Sequence, residues 1–91
     1  MSNLSCFSNH GLVLLILAKR PDSRLRDLAQ KVGITERAVH RLIDDLEAAE
    51  ALSRERRGRR VHYSVNRNLE LHHPVESQRS IGDLVDMVWG A

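Results

Sequence analysis

Arginine is concentrated in one short part of this 91-residue chain, where it could bind a polyanion. Residues 53–67 hold six arginines and one glutamate, a balance of +5, whereas residues 1–52 are neutral and residues 68–91 carry −3. Such a local cationic block predicts a polyanion contact confined to one part of the molecule, with a solvated loop as the alternative. Five of the arginines lie within seven positions and repel one another: Arg54, Arg56, Arg57, Arg59 and Arg60.

No arrangement of residues for catalysis accompanies these arginines. An enzyme needs a nucleophile–base pair or converging acids, and the serines, histidines and aspartates here are scattered without a motif that links them. We therefore expect no enzymatic activity and no cofactor. The single cysteine, Cys6, excludes an intramolecular disulfide and a thiolate-rich metal site. A redox role for Cys6 is a minor alternative, since no basic residue lies near it in sequence.

Histidine leaves a metal site open as an alternative. His72, His73 and Glu76 could join His10 across a dimer as nitrogen and oxygen ligands, but these histidines lie in a polar connector, and we expect no metal. The longest apolar run has seven residues, far short of the roughly 20 that cross a bilayer. Residues 1–9 contain no Lys or Arg to begin a secretory signal. We expect a cytoplasmic protein that does not contact a membrane.

The first predicted helix covers about residues 9–19, with Ser8 or Asn9 as its cap. Its six consecutive apolar residues, 12–17, leave it no polar face. A helix that is apolar all round must be covered on several sides. In so small a domain, we expect part of that cover to come from a second subunit.

A second helix, a glycine turn and a third helix follow. The second helix is predicted to open at Asp22 or Ser23 and to run to about Val32, where Gly33 breaks it. Thr35 is a good cap for the third helix, residues 35–49, which is apolar inside and acidic in its far half. We expect that acidic half to point away from the polyanion. The buried stripe of the second helix is Leu25, Leu28, Ala29 and Val32.

From Leu52 the hydrophobic period changes to two, which is typical of a half-buried strand. Gly58 is predicted to turn a hairpin whose arms are Ser53–Arg56 and a strand containing Val61, Tyr63 and Val65. Residues 67–76 are predicted to be a connector. A last helix begins near Ser80, which forms a capping box with Asp83. Its apolar stripe consists of Ile81, Leu84, Val85, Val88 and Trp89.

Two helices joined by a glycine turn and followed by a basic hairpin describe a winged helix-turn-helix. The spacing is specific, because Ala29 is small where the helices cross, and apolar Val39 and Leu42 pack the second of them onto the first. We expect a mainly α fold with a three-helix core, a two-stranded wing and a C-terminal helix. Residues 1–76 would form the DNA-binding domain, and residues 77–91 a dimerisation element.

The stretch LRDLAQKVGITERAVHRLIDDLEAA, followed by LSRERRGRRVHYSVN, resembles the short winged-helix transcriptional regulators of prokaryotes. These are allied to the multiple-antibiotic-resistance (MarR-like) and arsenic-repressor (ArsR-like) families, and the connector LHHPVE is similar to one in a subgroup of short members. The resemblance covers residues 10–76. It implies that the third helix reads the major groove, that the wing contacts the flanking backbone or minor groove, and that homodimers bind two-fold-symmetric operators.

Two residues depart from the pattern of that subgroup. Glu50 stands where a glycine commonly ends the third helix. A left-handed Glu50 costs on the order of 1 kcal/mol; otherwise the helix runs on and the wing shifts. Arg57 stands where an apolar wing residue is usual, which adds charge at the tip.

The residue types suit contacts with double-stranded DNA. Arg37 or Arg41 could pair with guanine through two hydrogen bonds, and Glu36 could accept from cytosine N4 or simply complement the helix dipole. His40 is either a base contact or a solvated histidine, and Arg24 beside Ser23 could bind phosphate. The predicted DNA contacts are Arg24, Thr35, Glu36, Arg37, His40, Arg41, Arg56, Arg57, Arg59 and Arg60.

The stripe of the last helix has three interpretations: intramolecular core, dimer interface, or docking site for another protein. Trp89 lies near the end of the chain, where exposure would reduce solubility, so we favour burial by a partner subunit. Two alternatives to sequence-specific DNA binding stay open, a winged helix that binds only proteins and a metal-responsive repressor with His ligands. The predicted dimer interface is Leu12, Leu15, Ile16, Ile81, Leu84, Val85, Val88 and Trp89.

Overall fold

The computed structural model describes Ser5, residues 7–73, Val75 and residues 78–90. Cys6 and Glu76, considered above for redox and metal chemistry, lie outside these residues. The predicted mainly α winged helix-turn-helix is confirmed, and within the described part no helix is long and apolar enough to cross a membrane. The elements in chain order are α1 (Asn9–Lys19), α2 (Leu25–Val32), α3 (Glu36–Ala48), β1 (Leu52–Arg57), β2 (Arg60–Val65) and α4 (Ile81–Trp89).

Helix α1 is the centre of the core. Ser8 caps it by accepting a hydrogen bond from the Gly11 N–H, as the sequence predicts. Helices α2, α3 and α4 and strand β2 all pack against it. Elements of the same chain therefore cover most of α1, and the expectation that a second subunit covers the remainder stays a prediction. Of its large apolar side chains, only two are left half-buried, Leu12 and Ile16.

Helix α2 begins later than predicted. Its N-cap is Arg24, whose side chain makes no capping hydrogen bond, rather than Asp22 or Ser23. The Ser23 hydroxyl donates instead to the Arg20 carbonyl at 2.7 Å. The Asp22 carboxylate is occupied by His62 of the wing. The first N–H groups of α2 are consequently left without a side-chain cap.

The turns on either side of α3 follow from single residues. Gly33 has a φ of 84°, and the Thr35 hydroxyl accepts a hydrogen bond from the Ala38 N–H, as predicted. After α3, Glu50 has a φ of 63°. Glu50 is thus in the left-handed conformation, the first of the two alternatives stated above, and this conformation costs about 1 kcal/mol. Because the helix stops there, the chain turns directly into the wing.

The wing is an antiparallel hairpin whose register pairs Arg57 with Arg60 across a two-residue turn. Gly58, at a φ of 63°, occupies the first position of that turn, which favours glycine. At the root of the wing, the Tyr63 side chain is buried, and burial raises the pKa of its hydroxyl. The Tyr63 N–H donates to the Pro21 carbonyl at 2.9 Å. This bond attaches β2 to the loop between α1 and α2.

Helix α4 is tied to the segment before it. The predicted capping box is present, and the hydrogen bond from the Ser80 N–H holds the pKa of the Asp83 carboxyl below its usual value. The segment predicted as a connector does more than join elements. Glu70 pairs with Ser80 in an antiparallel bridge, and the Ile81 N–H donates to the Leu69 carbonyl.

Trp89 contacts α1 of its own chain. Its indole N–H donates to the Leu15 carbonyl at 2.8 Å, and the Lys19 ammonium lies 4.3 Å from the ring centroid. The side chain is nevertheless 43% exposed. Local packing therefore positions Trp89, and a partner subunit is not needed to hold it in place.

Gly82 allows α4 to approach the chain that leaves the wing. Its N–H donates to the Arg67 carbonyl at 2.8 Å, and a Cβ at this position would lie 2.9 Å from that same oxygen. The neighbour is backbone, so an added methyl group must displace α4. The Arg67 guanidinium also binds the Asp86 carboxylate at 2.6 Å, which fixes a second point of α4.

We expect Gly82→Ala to lower the free energy of unfolding by about 1–3 kcal/mol, because the new side chain overpacks a backbone contact. Gly11→Ala is the matched control. Its Cβ would make an ordinary contact 3.5 Å from Phe7 Cβ, and alanine's helix propensity should raise stability by about 0.5–1 kcal/mol. Urea unfolding at one fixed protomer concentration measures both. Equal effects of the two substitutions would contradict the close approach at Gly82.

Candidate nucleic-acid interface

Helix α3 turns a polar face to the surface. Val39, Ile43 and Leu46 are buried against the core, so the helical period directs the side chains between them outward. Leu25 of α2 and Asp44 complete a shallow groove with this face. Four of the predicted DNA contacts line that groove, and all are exposed: Glu36, Arg37, His40 and Arg41.

A second groove, of about 600 Å³, lies between the start of α2 and the wing. Arg24 and Arg26 line it from α2, and Arg59 and Arg60 from the wing. It shares two lining residues with the α3 groove, Leu25 and Glu36. We call the combined surface of the two grooves the basic face. The basic face brings together seven of the ten predicted DNA contacts. The other three, Thr35, Arg56 and Arg57, line neither of the two grooves.

Arg26 is a residue of the basic face that the sequence reasoning missed. It is exposed and lines the groove beside Arg24. The signal was available in the sequence, because successive helical residues are rotated by about 100°, which places Arg24 and Arg26 outside the apolar stripe that contains Leu25. The late start of α2 adds to their effect, since its uncapped N–H groups favour a nearby anion.

The arginines at the tip of the wing differ in their contacts. Arg57 donates to the Glu55 carboxylate at 2.8 Å, and this hydrogen bond lowers the pKa of Glu55 and raises that of Arg57. Arg60 donates to the Asp22 carbonyl at 3.0 Å, and Arg56 to the Gly58 carbonyl at 3.3 Å. Both acceptors are backbone carbonyls. Arg56 and Arg60 therefore have no carboxylate partner among the described residues.

Arg54, at the root of the wing, is held between two carboxylates of α3. Its Nη2 lies 2.7 Å from Asp44 Oδ1 and 3.0 Å from Glu47 Oε1, and these hydrogen bonds raise the pKa of the guanidinium. The third acid of this region, Asp45, binds His10 of α1 at 2.9 Å. The acidic half of α3 is thus used for contacts between elements.

The wing is also bound to the loop before α2. His62 Nδ1 lies 2.8 Å from Asp22 Oδ1, and this hydrogen bond holds the pKa of the Asp22 carboxyl below its usual value. The Asp22 backbone accepts from Arg60 as well. One residue of the loop therefore contacts two residues of β2.

His10, one of the histidines considered as metal ligands, pairs with Asp45. His40 and His62 also pair with one aspartate each. No three His, Cys, Asp or Glu side chains of the described residues converge to hold a metal. The grouping of His72 and His73 with Glu76 is untested, because Glu76 lies outside those residues.

Three members of the predicted dimer interface need correction. Leu15, Ile81 and Val85 are 3%, 2% and 6% exposed and pack inside a single chain. They cannot reach a second subunit in this conformation. The predicted members that keep exposed area are Leu12, Ile16, Leu84, Val88 and Trp89.

Comparison with known proteins agrees with this geometry. Residues 8–51 match the family model described as winged helix-turn-helix DNA-binding. These residues make up a little under half of the chain, and the winged helix-turn-helix fold of the structure agrees with the match. No curated protein matches the chain.

Chains of ZitR from Lactococcus lactis are among the solved structures that this chain resembles. Wild-type ZitR in complex with DNA is 24% identical, with a TM-score of 0.59, and the match covers 71% of this chain and 46% of ZitR. A crystal structure of ZitR described as a zinc-responsive MarR family member is 26% identical, with a TM-score of 0.56 and the same two coverages. This chain therefore matches a little under half of the length of ZitR.

Proposed function

We propose that this protein is a transcriptional regulator that binds specific sequences of double-stranded DNA as a homodimer. The observation that carries the proposal is the basic face, on which α3, the start of α2 and the wing meet. Among the described residues, several of its arginines make no ion pair within the chain: Arg24, Arg26, Arg37, Arg41 and Arg59. The similarity to ZitR, which has been solved in complex with DNA, supports the same assignment.

In this proposal α3 enters the major groove and specifies the sequence. A recognition helix contacts bases with its N-terminal half, which here carries Arg37, His40 and Arg41. Arginine can donate two hydrogen bonds to guanine O6 and N7, which no other base offers in that arrangement. Glu36 would reject a phosphate at the same position and accept from cytosine.

The wing and the start of α2 would bind the flanking backbone. Arg59 and Arg60 are exposed at the wing tip and share a groove with Arg24 and Arg26. A phosphate placed in that groove would meet these guanidinium groups together with the uncapped N–H groups of α2. Such contacts hold the protein in register without reading the sequence.

We expect Arg41→Ala or Arg37→Ala to cost about 1–3 kcal/mol of binding and to relax the preference at one base-pair position. Arg59→Ala should weaken binding to all sequences about equally and reduce the salt slope by about 1. The measurement is binding to duplexes selected from a random pool, titrated between 50 and 200 mM salt. If the dimer contacts six to ten phosphates, affinity should fall about 10³–10⁵-fold over that range.

Arg79→Ala is the control, because it removes one exposed positive charge just before α4, outside the basic face. It should leave the base preference unchanged and the affinity nearly so. Should Arg79→Ala weaken binding as much as Arg59→Ala, only net charge would matter and the assigned roles would be wrong. A wild-type affinity that does not change with salt would contradict DNA binding itself.

The homodimer is proposed from the apolar surface of the C-terminal region. Large hydrophobic side chains rarely remain exposed together unless something covers them. Pairing this surface with a second copy about a two-fold axis would bury it and set two α3 helices about 34–36 Å apart. The exposed side chains are Val75 at 86%, Met87 at 69%, Trp89 at 43% and Val88 at 38%.

We expect Met87→Asp to convert the dimer to monomers, because it places a charge in the apolar groove that Met87 lines with Val75 and Leu84, at a side chain that is 69% exposed. Gln30→Asp adds the same charge at an exposed position of α2 and should leave the dimer intact. Sedimentation equilibrium gives both masses, and thermal unfolding checks that both variants fold. If Met87→Asp sediments as the wild type does, the dimer uses another surface.

A further inference from the structure

We propose that Arg54 is a positioning residue, which holds the wing at a fixed angle to α3 through the carboxylates of Asp44 and Glu47. This proposal rests on the DNA-binding function proposed above. Arg54 belongs to the cluster of five arginines that indicated a polyanion contact in the sequence. The contacts of its side chain assign it a different task from that of its neighbours at the wing tip.

The geometry of Arg54 is that of a bridge between elements. One terminal nitrogen donates to both carboxylates, at 2.7 Å to Asp44 and 3.0 Å to Glu47, and the side chain is only 31% exposed. Charge-assisted hydrogen bonds of this kind are shorter and stronger than neutral ones. The Arg54 charge is thus satisfied within the protein, in contrast to Arg59, which makes no ion pair among the described residues.

The position of Arg54 in the hairpin explains why such a bridge would set the angle of the wing. Arg54 is paired across the strands with Tyr63, whose N–H is bonded to the Pro21 carbonyl. The root of the wing is therefore attached at both strands, through β2 to the loop before α2 and through β1 to α3. Without the bridge, β1 would be held to the core only at its start, by the buried Ala51 and Leu52, and the part of the wing beyond them could tilt relative to α3.

Asp44 is an acidic residue on a surface that is otherwise suited to bind phosphates. It lines the α3 groove together with Arg37 and Arg41, where a carboxylate repels the phosphates that this surface is proposed to bind. The same group satisfies the Arg54 bridge with Oδ1, and its Oδ2 lies 3.3 Å from His40 Nδ1. One carboxylate thereby contacts both the wing and a predicted base contact.

The decisive variant removes the bridge and makes the protein more positive. Asp44→Asn combined with Glu47→Gln raises the net charge by two, which by itself favours binding to a polyanion. If Arg54 positions the wing, affinity for a selected duplex should instead fall about three- to tenfold, a range set by the modest strength of partly exposed ion pairs. An increase in affinity would overturn the proposal.

The matched control is Asp27→Asn combined with Glu50→Gln. It makes the same change in charge at two exposed acids that form no ion pair among the described residues. We expect it to raise affinity about two- to fivefold. If both double variants raise affinity alike, the acids of α3 act only through their charge, and Arg54 does not position the wing.

Amide hydrogen exchange in the free protein separates this proposal from the proposed function. Loss of the bridge should accelerate exchange in β1 and β2 at least about fivefold while leaving α2 unchanged, because local opening of the wing becomes easier. Unchanged exchange in the hairpin would overturn the proposal even if DNA binds. A wild-type chain that binds no duplex would instead overturn the proposed function, and the exchange rates would then decide the bridge alone.

Discussion

The burial of α1 against three helices and a strand is the constraint on which the rest of the structure depends. Because this helix is apolar on every side, it must be enclosed, and α2, α3, β2 and α4 enclose it. Val13 and Leu17 are fully buried as a result. The positions of α3 and of the wing follow from that packing. The geometry of the basic face is thus set by contacts on the opposite side of α2 and α3.

The loop that leaves α1 converts this packing into a position for the wing. The Pro21 carbonyl accepts from Tyr63, and Asp22 binds His62 with its side chain and Arg60 with its backbone. Arg54 adds the attachment to α3. The cationic segment therefore divides into arginines that hold the protein together and arginines that remain available for an anion. Net charge alone does not distinguish the two groups.

Features that depend on neighbours in sequence could be predicted. Ser8, Thr35 and Ser80 cap the helices that follow them, because an N-cap bonds to an N–H only three residues away. Gly33 turns the chain in the left-handed conformation for a similarly local reason. The same locality explains why the helix-turn-helix and the hairpin were foreseen, together with most of the residues of the basic face.

Features that depend on residues distant in sequence could not be predicted from it. Asp22 is a good cap by type, but His62, 40 positions later, takes its side chain. Glu50 left two conformations open, and only the packing of Ala51 and Leu52 into the core shows which is used. Leu15 and Val85 are apolar residues of helical stripes, and the sequence pattern is the same whether a stripe faces the core or a partner subunit. Arg54 belongs to a basic cluster by sequence, and its acidic partners lie in a different element.

A titration of the amide NMR shifts with a selected duplex tests whether the basic face binds DNA. We predict that the largest changes fall on residues 24–26, 36–41 and 56–60, and that α4 changes little beyond effects of its own dimerisation. Saturation at one duplex per two chains would agree with the homodimer. Changes concentrated on α4 and the outer side of α1, with none on α3 or the wing tip, would contradict the account.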